Sequence, residues 1–360
     1  MTELFDTEPT AGPEPVSEPE PAAGPTHTPA PAPDLAPARD VIQRLRERLR
    51  FAVLGRDEVV DLVLVALLAD GHVLLEDYPG SGKTTLAKAL GAAITDGAED
   101  PLPVFRRIQF TPDLLPSDIT GVSVFEPETG RFVFRPGPIF AHVVLGDEIN
   151  RTSPKVQSAM LEAMAEKQVT VDNVSHPLDD LFFVIATQNP RDVAGTYPLP
   201  VPQLDRFLLK IRMDYIDRES EIAVLDTRLA RQAGPDGSSV PKVERRDLVA
   251  ARRLVEEGVH VSPLIHSCLV DLARALRSSP KVVQGISTRS LVLLIPALKV
   301  SALMRGRDYV SADDISWLAP HVFGHRMELG PGAGSPAQII RECLKGPVEA
   351  LSRSTLKREA

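Results

Sequence analysis

The chain has 360 residues, 43% of them hydrophobic and 25% charged, which is the composition of an ordinary globular protein long enough for two domains. Its formal charge of −9 comes from residues 1–40, with eight acids and one arginine, so the other 320 residues stand at only −2 and carry no basic footprint for nucleic acid. Cys268 and Cys343 suggest neither a disulfide framework nor zinc spacing, the run Val59 to Ala69 is too short for a bilayer, and no signal peptide stands out, so a cytoplasmic protein is expected.

Residues 1–38 are rich in Pro, Ala and Glu and cannot bury enough surface to offset ordering; a disordered acidic tail is expected. Helical spacing starts at Val41, Ile42, Leu45 and Leu49, and a long apolar helix follows through Ala69. Val73-Leu74-Leu75 then reads as a buried strand, Pro79-Gly80-Ser81-Gly82 as a turn, and Lys83-Thr84-Thr85 as the opening of a helix. This order makes a phosphate cradle, because backbone N–H groups of the turn and of the helix start converge where the helix dipole favours negative charge. Lys83 would reach the β- and γ-phosphates of a nucleotide, and the Thr84 hydroxyl would take a place on Mg²⁺. The P-loop pattern asks for glycine where this chain has Asp77. Aspartate tolerates left-handed backbone, and its charge is expected to point away from a triphosphate.

Val104 to Phe110 reads as a second strand, and alternation on both sides of a Pro/Gly turn between Asp118 and Pro138 predicts a β-hairpin. The apolar run from His142 ends in Asp147-Glu148, 64 residues after Lys83. In a P-loop protein such a strand brings one carboxylate to Mg²⁺ and lets the next acid polarise the attacking water. Pro154 opens a helix whose Val156, Met160 and Met164 pack into the core, and Gln168 to Val174 forms a second short hairpin over Asp172-Asn173. Leu181 to Thr187 is another buried strand, followed by Gln188-Asn189, a place where open α/β sheets bind ligands. Leu204-Asp205-Arg206-Phe207 precedes a fifth strand, Leu208 to Met213. A charged helix runs from Arg218 to Gln232, and from Pro241 the pattern is helical, with starts at Asp247, Ser262-Pro263, Ser287-Thr288-Arg289 and Ser311; the end, from Lys345, is expected to fray. His321 and His325 are four apart without a third ligand and read as helix-face residues, and Arg44, Arg46, Arg48 and Arg50 read as a solvated face.

Together these segments resemble the MoxR group of AAA+ ATPases from about residue 40 to 330. The most specific match is Asp147-Glu-Ile-Asn-Arg151 with Pro154-Lys-Val-Gln157, Leu161-Glu-Ala-Met164 and Gln168-Val-Thr. Beside it stand Ala186-Thr-Gln-Asn-Pro190, Gly195-Thr-Tyr-Pro-Leu-Pro200, Gln203-Leu-Asp-Arg-Phe207, Gln109-Phe-Thr-Pro-Asp113 and Phe134-Arg-Pro-Gly-Pro138, in the family's order. The resemblance implies an α/β P-loop NTPase fold: a five-stranded parallel sheet flanked by helices, two β-hairpin inserts and a smaller all-α lid. It divides the chain into a tail (1–38), a nucleotide-binding core (39–216), a helix and linker (217–240), a lid (241–345) and a frayed end (346–360).

By the same resemblance Pro79, Gly80, Ser81, Gly82, Lys83, Thr84 and Thr85 hold ATP, Thr84 and Asp147 hold Mg²⁺, and Glu148 is the base. Asn189 matches sensor 1, holding the lytic water, and Arg206 matches an arginine finger that reaches the neighbouring subunit's ATP; a surface salt bridge is the plain alternative for Arg206. Arg289 matches sensor 2, expected to touch the γ-phosphate of its own chain. Gly146 departs from the family, where an apolar residue is more usual. The implied function is a Mg-ATP-hydrolysing, chaperone-like remodelling motor in a homo-oligomeric, hexameric ring. Its implied work is protein-complex maturation or cofactor insertion, on a protein client beside a von Willebrand factor A domain partner. A nucleotide-gated scaffold with little hydrolysis is the alternative. Neither nucleic acid binding nor membrane insertion is expected.

Overall fold

Residues 33–77, 80–95, 102–189, 195–227 and 239–359 are described by the computed structural model, residue 77 and residues 354–359 by their backbone alone. Most of the expected tail lies outside these residues, but its last part does not behave as a tail. Leu35 and Ala38 are buried, and helix α1 (Ala36–Ala52) has begun before residue 39.

Helix α2 (Asp57–Leu68) leads into strand β1 (Val73–Asp77), and α3 (Lys83–Ala93) follows the glycine turn. After β2 (Ile94–Thr95) and β3 (Phe105–Gln109), the short helix α4 (Pro116–Thr120) carries the hairpin β4 (Gly121–Glu126) and β5 (Arg131–Pro136). Strand β6 (Val143–Asp147), helix α5 (Pro154–Glu166) and a second hairpin, β7 (Gln168–Val171) and β8 (Val174–Pro177), come next. Its turn residues Asp172 and Asn173 have φ of 50° and 63°, the left-handed pair a two-residue hairpin turn requires. Strand β9 (Phe183–Gln188), the short helix α6 (Val201–Leu204) and β10 (Leu209–Met213) complete the core, and α7 (Arg218–Asp226) leaves it.

The main sheet has the order β10-β1-β9-β6-β3, and every neighbouring pair in it is parallel. The inner strands β1, β9 and β6 run apolar into the sheet because both their faces are covered, with alternate residues serving opposite cores, whereas the edge strands β3 and β10 carry Arg106, Arg107, Lys210 and Arg212. Val73 and Leu75 join the core under α1, α2 and α3, whereas Leu74 joins the one under α5. The family-specific oddity at Gly146 follows from this packing: a Cβ there would lie 3.1 Å from the ring of buried Phe110, which fills the space an apolar side chain would take.

The described part of the remainder is helical, with short strands that the periodicity did not foretell. Strand β11 (Val243–Glu244) pairs with β2 and leads into α8 (Arg245–Gly258) and α9 (Pro263–Ser278). Strand β12 (Val282–Gln284), α10 (Thr288–Met304), α11 (Ala312–Phe323), β13 (Glu328–Leu329) and α12 (Pro336–Glu359) follow, with β12 paired to β13. The expected frayed end is instead the second half of α12, whose Val348 and Leu351 pack against the core. The lid shares one apolar core with α1, α2 and α3 and is also bolted by charge. Arg245 grips Asp179 with two nitrogens, the Nε contact at 2.8 Å, and Arg252 reaches Asp70 at 2.7 Å and the carbonyls of Leu67 and Asp180. Burial works against ionisation of Asp179, but hydrogen bonds from His142, Arg245 and the Leu181 N–H hold its carboxyl well below the usual carboxylate range. Among the described residues no helix is long and apolar enough to cross a membrane.

His72, at the entry to β1, is buried among these elements. Its Nδ1 accepts from the Val184 N–H at 3.1 Å and its Nε2 meets the Met164 carbonyl at 3.2 Å, a set that the neutral Nε2–H tautomer satisfies. Burial pushes this imidazole down to about 4 from 6.5. Between those values the unfolded chain binds more protons than the folded one, so His72 makes stability rise with pH across the window and fall as pH drops through it. The expected loss is about 1.4 kcal/mol per pH unit and about 3 kcal/mol in all. Urea midpoints of the wild-type and His72→Gln proteins between pH 7 and pH 4 check this: the variant should show the shallower dependence.

Candidate functional site

Since all five strands run one way, the carboxyl ends of β1, β9, β6 and β3 lie along one edge. The turn after β1 has φ of 87° at Gly80 and 95° at Gly82, and Gly82 caps α3 in the left-handed conformation. A Cβ at either position would meet nothing within 4 Å, so backbone conformation, not space, asks for glycine. Lys83 is the first residue of α3; Lys83 and Thr84 are half-buried and Thr85 is exposed. Arg56 braces the turn from behind, donating to the Ser81 carbonyl at 3.4 Å and to the Asp214 carbonyl. Pro79 lies outside the described residues, as does the side chain of Asp77, so the expected direction of that charge is not part of the described structure.

Strand β6 is buried from Val143 to Asp147. Glu148 follows at φ 59° and ψ 50°, a left-handed conformation that costs a non-glycine residue on the order of 1–3 kcal/mol. Thr187 on β9 holds it there, accepting from the Glu148 N–H at 2.9 Å and donating to Asp147 Oδ1 at 2.7 Å. Arginines and an amide close round both carboxylates. Arg107 donates to Asp147 Oδ2 at 2.5 Å and to Gln109 Oε1, Gln109 donates to Glu148 Oε2 at 3.2 Å, and Arg151 pairs with Glu148 at 3.0 Å. Asn189 follows β9, the strand between β1 and β6, so it stands between the glycine turn and the two acids. With strands about 4.8 Å apart, those two groups flank it at a separation of roughly 10 Å. Gln188 donates to Glu76 at 2.8 Å, and Lys210 pairs with the same carboxylate at 2.8 Å, tying β9, β1 and β10 together beneath the edge.

The donor set fits a magnesium-bound triphosphate. Glycines in left-handed conformation leave open space before the helix start, a lysine and hydroxyls line the turn, and the Ser81 hydroxyl is buried with no hydrogen-bond partner among the described residues. Asp147 is the carboxylate in place for a divalent cation, which would compete with Arg107 for it.

Arg206 and Arg289 lie elsewhere. Both line an open cleft of about 300 Å³ together with Gly71, His72 and Asp205. Gly71 and His72 precede β1, so this cleft is at the amino edge of the sheet, a strand length (about 17 Å) from the glycine turn. Arg206 is exposed; Arg289 is 62% exposed and stands 3.8 Å from the Asp205 carboxylate. Arg289, expected at the γ-phosphate of its own chain, thus stands at the opposite edge from its own glycine turn, because the lid packs against α1, α2 and β10 and carries the start of α10 there. Sequence reasoning also passed over Thr187, Arg107 and Gln109. Thr187 and Gln109 stood inside segments that carry the resemblance, Ala186-Thr-Gln-Asn-Pro190 and Gln109-Phe-Thr-Pro-Asp113, without being given a role, and nothing local marked Arg107.

Two family models match the chain: the ATPase family associated with various cellular activities (AAA) over residues 72–209, and the AAA lid domain over residues 274–343. The chain is 45% identical to the uncharacterized protein YeaC of Bacillus subtilis, over 86% of this chain and 95% of that one. It is 37% identical to the chaperone MoxR1 of Mycobacterium tuberculosis, over 77% of this chain and 73% of the relative, and 31% identical to the protein MoxR of Methylorubrum extorquens, over 87% and 95%. Among solved structures, a protein assigned as an ATPase from Cytophaga hutchinsonii superposes with a TM-score of 0.76 at 35% identity, covering 86% of this chain and 94% of its own.

Replacing Thr187 by the isosteric valine removes both hydrogen bonds, the buried one to Asp147 and the half-buried one from the Glu148 N–H. The expected results are a stability loss of about 1–3 kcal/mol and a fall in ATP turnover on the order of tenfold or more, with nucleotide still bound. Urea melts, nucleotide titration and steady-state phosphate release test this; wild-type values in both melt and turnover would refute it.

Proposed function

Because the chain belongs to the MoxR family of AAA+ ATPases, we propose that it is a Mg-ATP-hydrolysing, chaperone-like remodelling motor whose site is completed between the subunits of a homo-oligomeric ring. AAA+ domains in general bind and hydrolyse ATP with Mg²⁺. The observation that carries the proposal is the division of charged groups between the two ends of one parallel sheet: Gly80 to Thr84, Asp147 and Glu148 at one, Arg206 at the other. No chain of this shape brings Arg206 to its own glycine turn, whereas a neighbour docked amino edge to carboxyl edge does.

In this reading Gly80, Ser81 and Gly82 offer backbone N–H groups to the phosphates, with Pro79 and Thr85 at the ends of the cradle. Lys83 neutralises the β- and γ-phosphates, and Thr84 and Asp147 hold Mg²⁺. Bound Mg-ATP supplies the transferable phosphoryl group. Glu148 takes the proton of the attacking water and Asn189 orients that water. Arg206 stabilises the charge that develops in the neighbour's site, an effect worth about 10³–10⁵ in rate. Arg289, beside it, serves the same neighbouring site rather than its own. The ring is taken to be hexameric, and the client to be a protein complex undergoing maturation or cofactor insertion. A von Willebrand factor A domain protein is the proposed partner, in the cytoplasm, with no nucleic acid involved.

One observation favours a second reading, a nucleotide-gated scaffold. Asp147 is already paired with Arg107 and Glu148 with Arg151, so a subunit in this arrangement holds its metal ligand and base in a closed network. ATP would then drive assembly while turnover stays slow until Arg107 withdraws.

Glu148→Gln is expected to bind ATP without turning it over, and Lys83→Ala to lose binding. Mixing Glu148→Gln subunits, which keep Arg206, with Arg206→Ala subunits, which keep the base, should restore turnover that neither shows alone. Sizing with ATP, ADP and no nucleotide, run beside phosphate release, separates the two readings: ATP-dependent assembly with negligible wild-type turnover supports the scaffold and sinks the motor.

A further inference from the structure

Arg326 lies between α11 and β13, in the lid, and is 4% exposed. Burying a guanidinium costs several kcal/mol unless its donors are satisfied. Here the donors converge on one short stretch of the core. Nε donates to Asp205 Oδ1 at 2.6 Å, one terminal nitrogen to the Asp205 and Phe207 carbonyls at 3.1 and 2.8 Å, and the other to the Leu208 carbonyl at 3.1 Å. That second nitrogen also donates to the Val322 carbonyl of α11, so the same group is anchored on the lid side. The neighbouring His325 adds its Nε2, 3.0 Å from the Phe207 carbonyl. From the core side, the Leu208 N–H donates to the His72 carbonyl at 2.8 Å.

The residue enclosed by these contacts is Arg206. Its flanking residues Asp205 and Phe207 are both fixed by one lid guanidinium, while its own side chain is left exposed in the amino-edge cleft. Asp205 is shared further: its other oxygen stands 3.8 Å from Arg289 of α10. Two lid arginines, one buried and one exposed, therefore meet the carboxylate next to Arg206. A purely structural core–lid tie needs no such concentration on three residues, Asp205, Phe207 and Leu208, that surround Arg206, and α8 already supplies ties of that kind through Arg245 and Arg252.

We propose that Arg326 is the positioning residue for Arg206: by clamping residues 205–208 to the lid, it makes lid posture in one subunit set the rate of hydrolysis in the next. This rests on the reading in which Arg206 acts on a neighbouring subunit. It assigns Arg326 no contact with nucleotide; its whole effect passes through Arg206.

The test uses full-length chains in mixed assemblies. Glu148→Gln donors are mixed with Arg206→Ala acceptors, and the donor is then replaced by Glu148→Gln/Arg326→Gln and by Glu148→Gln/Arg326→Lys. The intact donor should restore turnover. The Arg326→Gln donor should restore at least tenfold less, and the Arg326→Lys donor, which keeps one charged contact but not the fork, an intermediate amount. Both must still bind ATP and co-elute with the acceptor. In the uniform protein, adding Arg326→Gln to Arg206→Ala should lower turnover no further, because the two act as one unit. No recovery with the intact donor overturns the neighbour-site reading, and this proposal with it. Full recovery with both Arg326 donors overturns this proposal alone. Loss of folding or assembly in both variants, or an additive loss in the double variant, makes Arg326 merely structural and also overturns it.

Discussion

In a sheet whose strands all run the same way, every strand's carboxyl end faces one edge and every amino end the other, and short strands keep the two about 17 Å apart. That polarity sorts the charged residues of this chain. The helix start that favours negative charge, the two acids and Asn189 are delivered to one edge because each follows a strand. Arg206 precedes a strand, so it is delivered to the other. No local preference of Arg206 or Glu148 is involved; the direction of β6 and β10 decides it. A site that used both edges would have to be built from two chains, and on the proposed reading of Arg206 that requirement follows from strand direction alone.

Within the carboxyl edge the organising contact is Thr187. One hydroxyl spans two backbones, holding the Asp147 carboxylate and the N–H of a residue forced into left-handed conformation. A strained Glu148 persists only if its surroundings over-determine it, and here they do: Thr187, Gln109 and Arg151 all act on it. The same closeness explains why Arg107 sits on Asp147. A buried carboxylate needs a compensating charge, and a guanidinium on the neighbouring strand is the one this sheet supplies. A divalent cation arriving at Asp147 would have to displace the Arg107 guanidinium.

What could be read in the sequence was whatever is encoded locally. Left-handed turns need glycine, so Gly80 and Gly82 stood out; buried parallel strands are apolar throughout, so β1, β6 and β9 stood out; Asp172-Asn173 signalled its own turn. Arg289 illustrates the limit. Its helix start was legible from Ser287, which does cap α10, but the direction in which that helix is aimed depends on how the whole lid packs. A helix end carries no record of which sheet edge it meets. Gly346 and Pro347 in the last helix likewise suggest a weak end by propensity, yet Val348 and Leu351 find an apolar surface and the helix runs on. Tertiary burial outweighs local preference there. Arg326 was invisible for the same reason as Arg289: in sequence it is one more basic residue after a helix.

The lid's attachment carries a mechanical consequence. Its apolar contacts are continuous with those of α1, α2 and α3, and its ion pairs (Arg245 to Asp179, Arg252 to Asp70) grip loops that enter or precede strands, all on the amino side of the sheet. A lid hinged over its own nucleotide would report occupancy of its own site. This lid is fixed beside the opposite edge, with the Asp205 to Leu208 turn in its hold. Any displacement of the lid must therefore either break several buried charge-assisted hydrogen bonds, each worth about 1.5–3 kcal/mol, or carry that turn with it. The second course is the cheaper one, so lid and turn move as a unit, and any displacement of the lid is carried to the place where Arg206 is exposed.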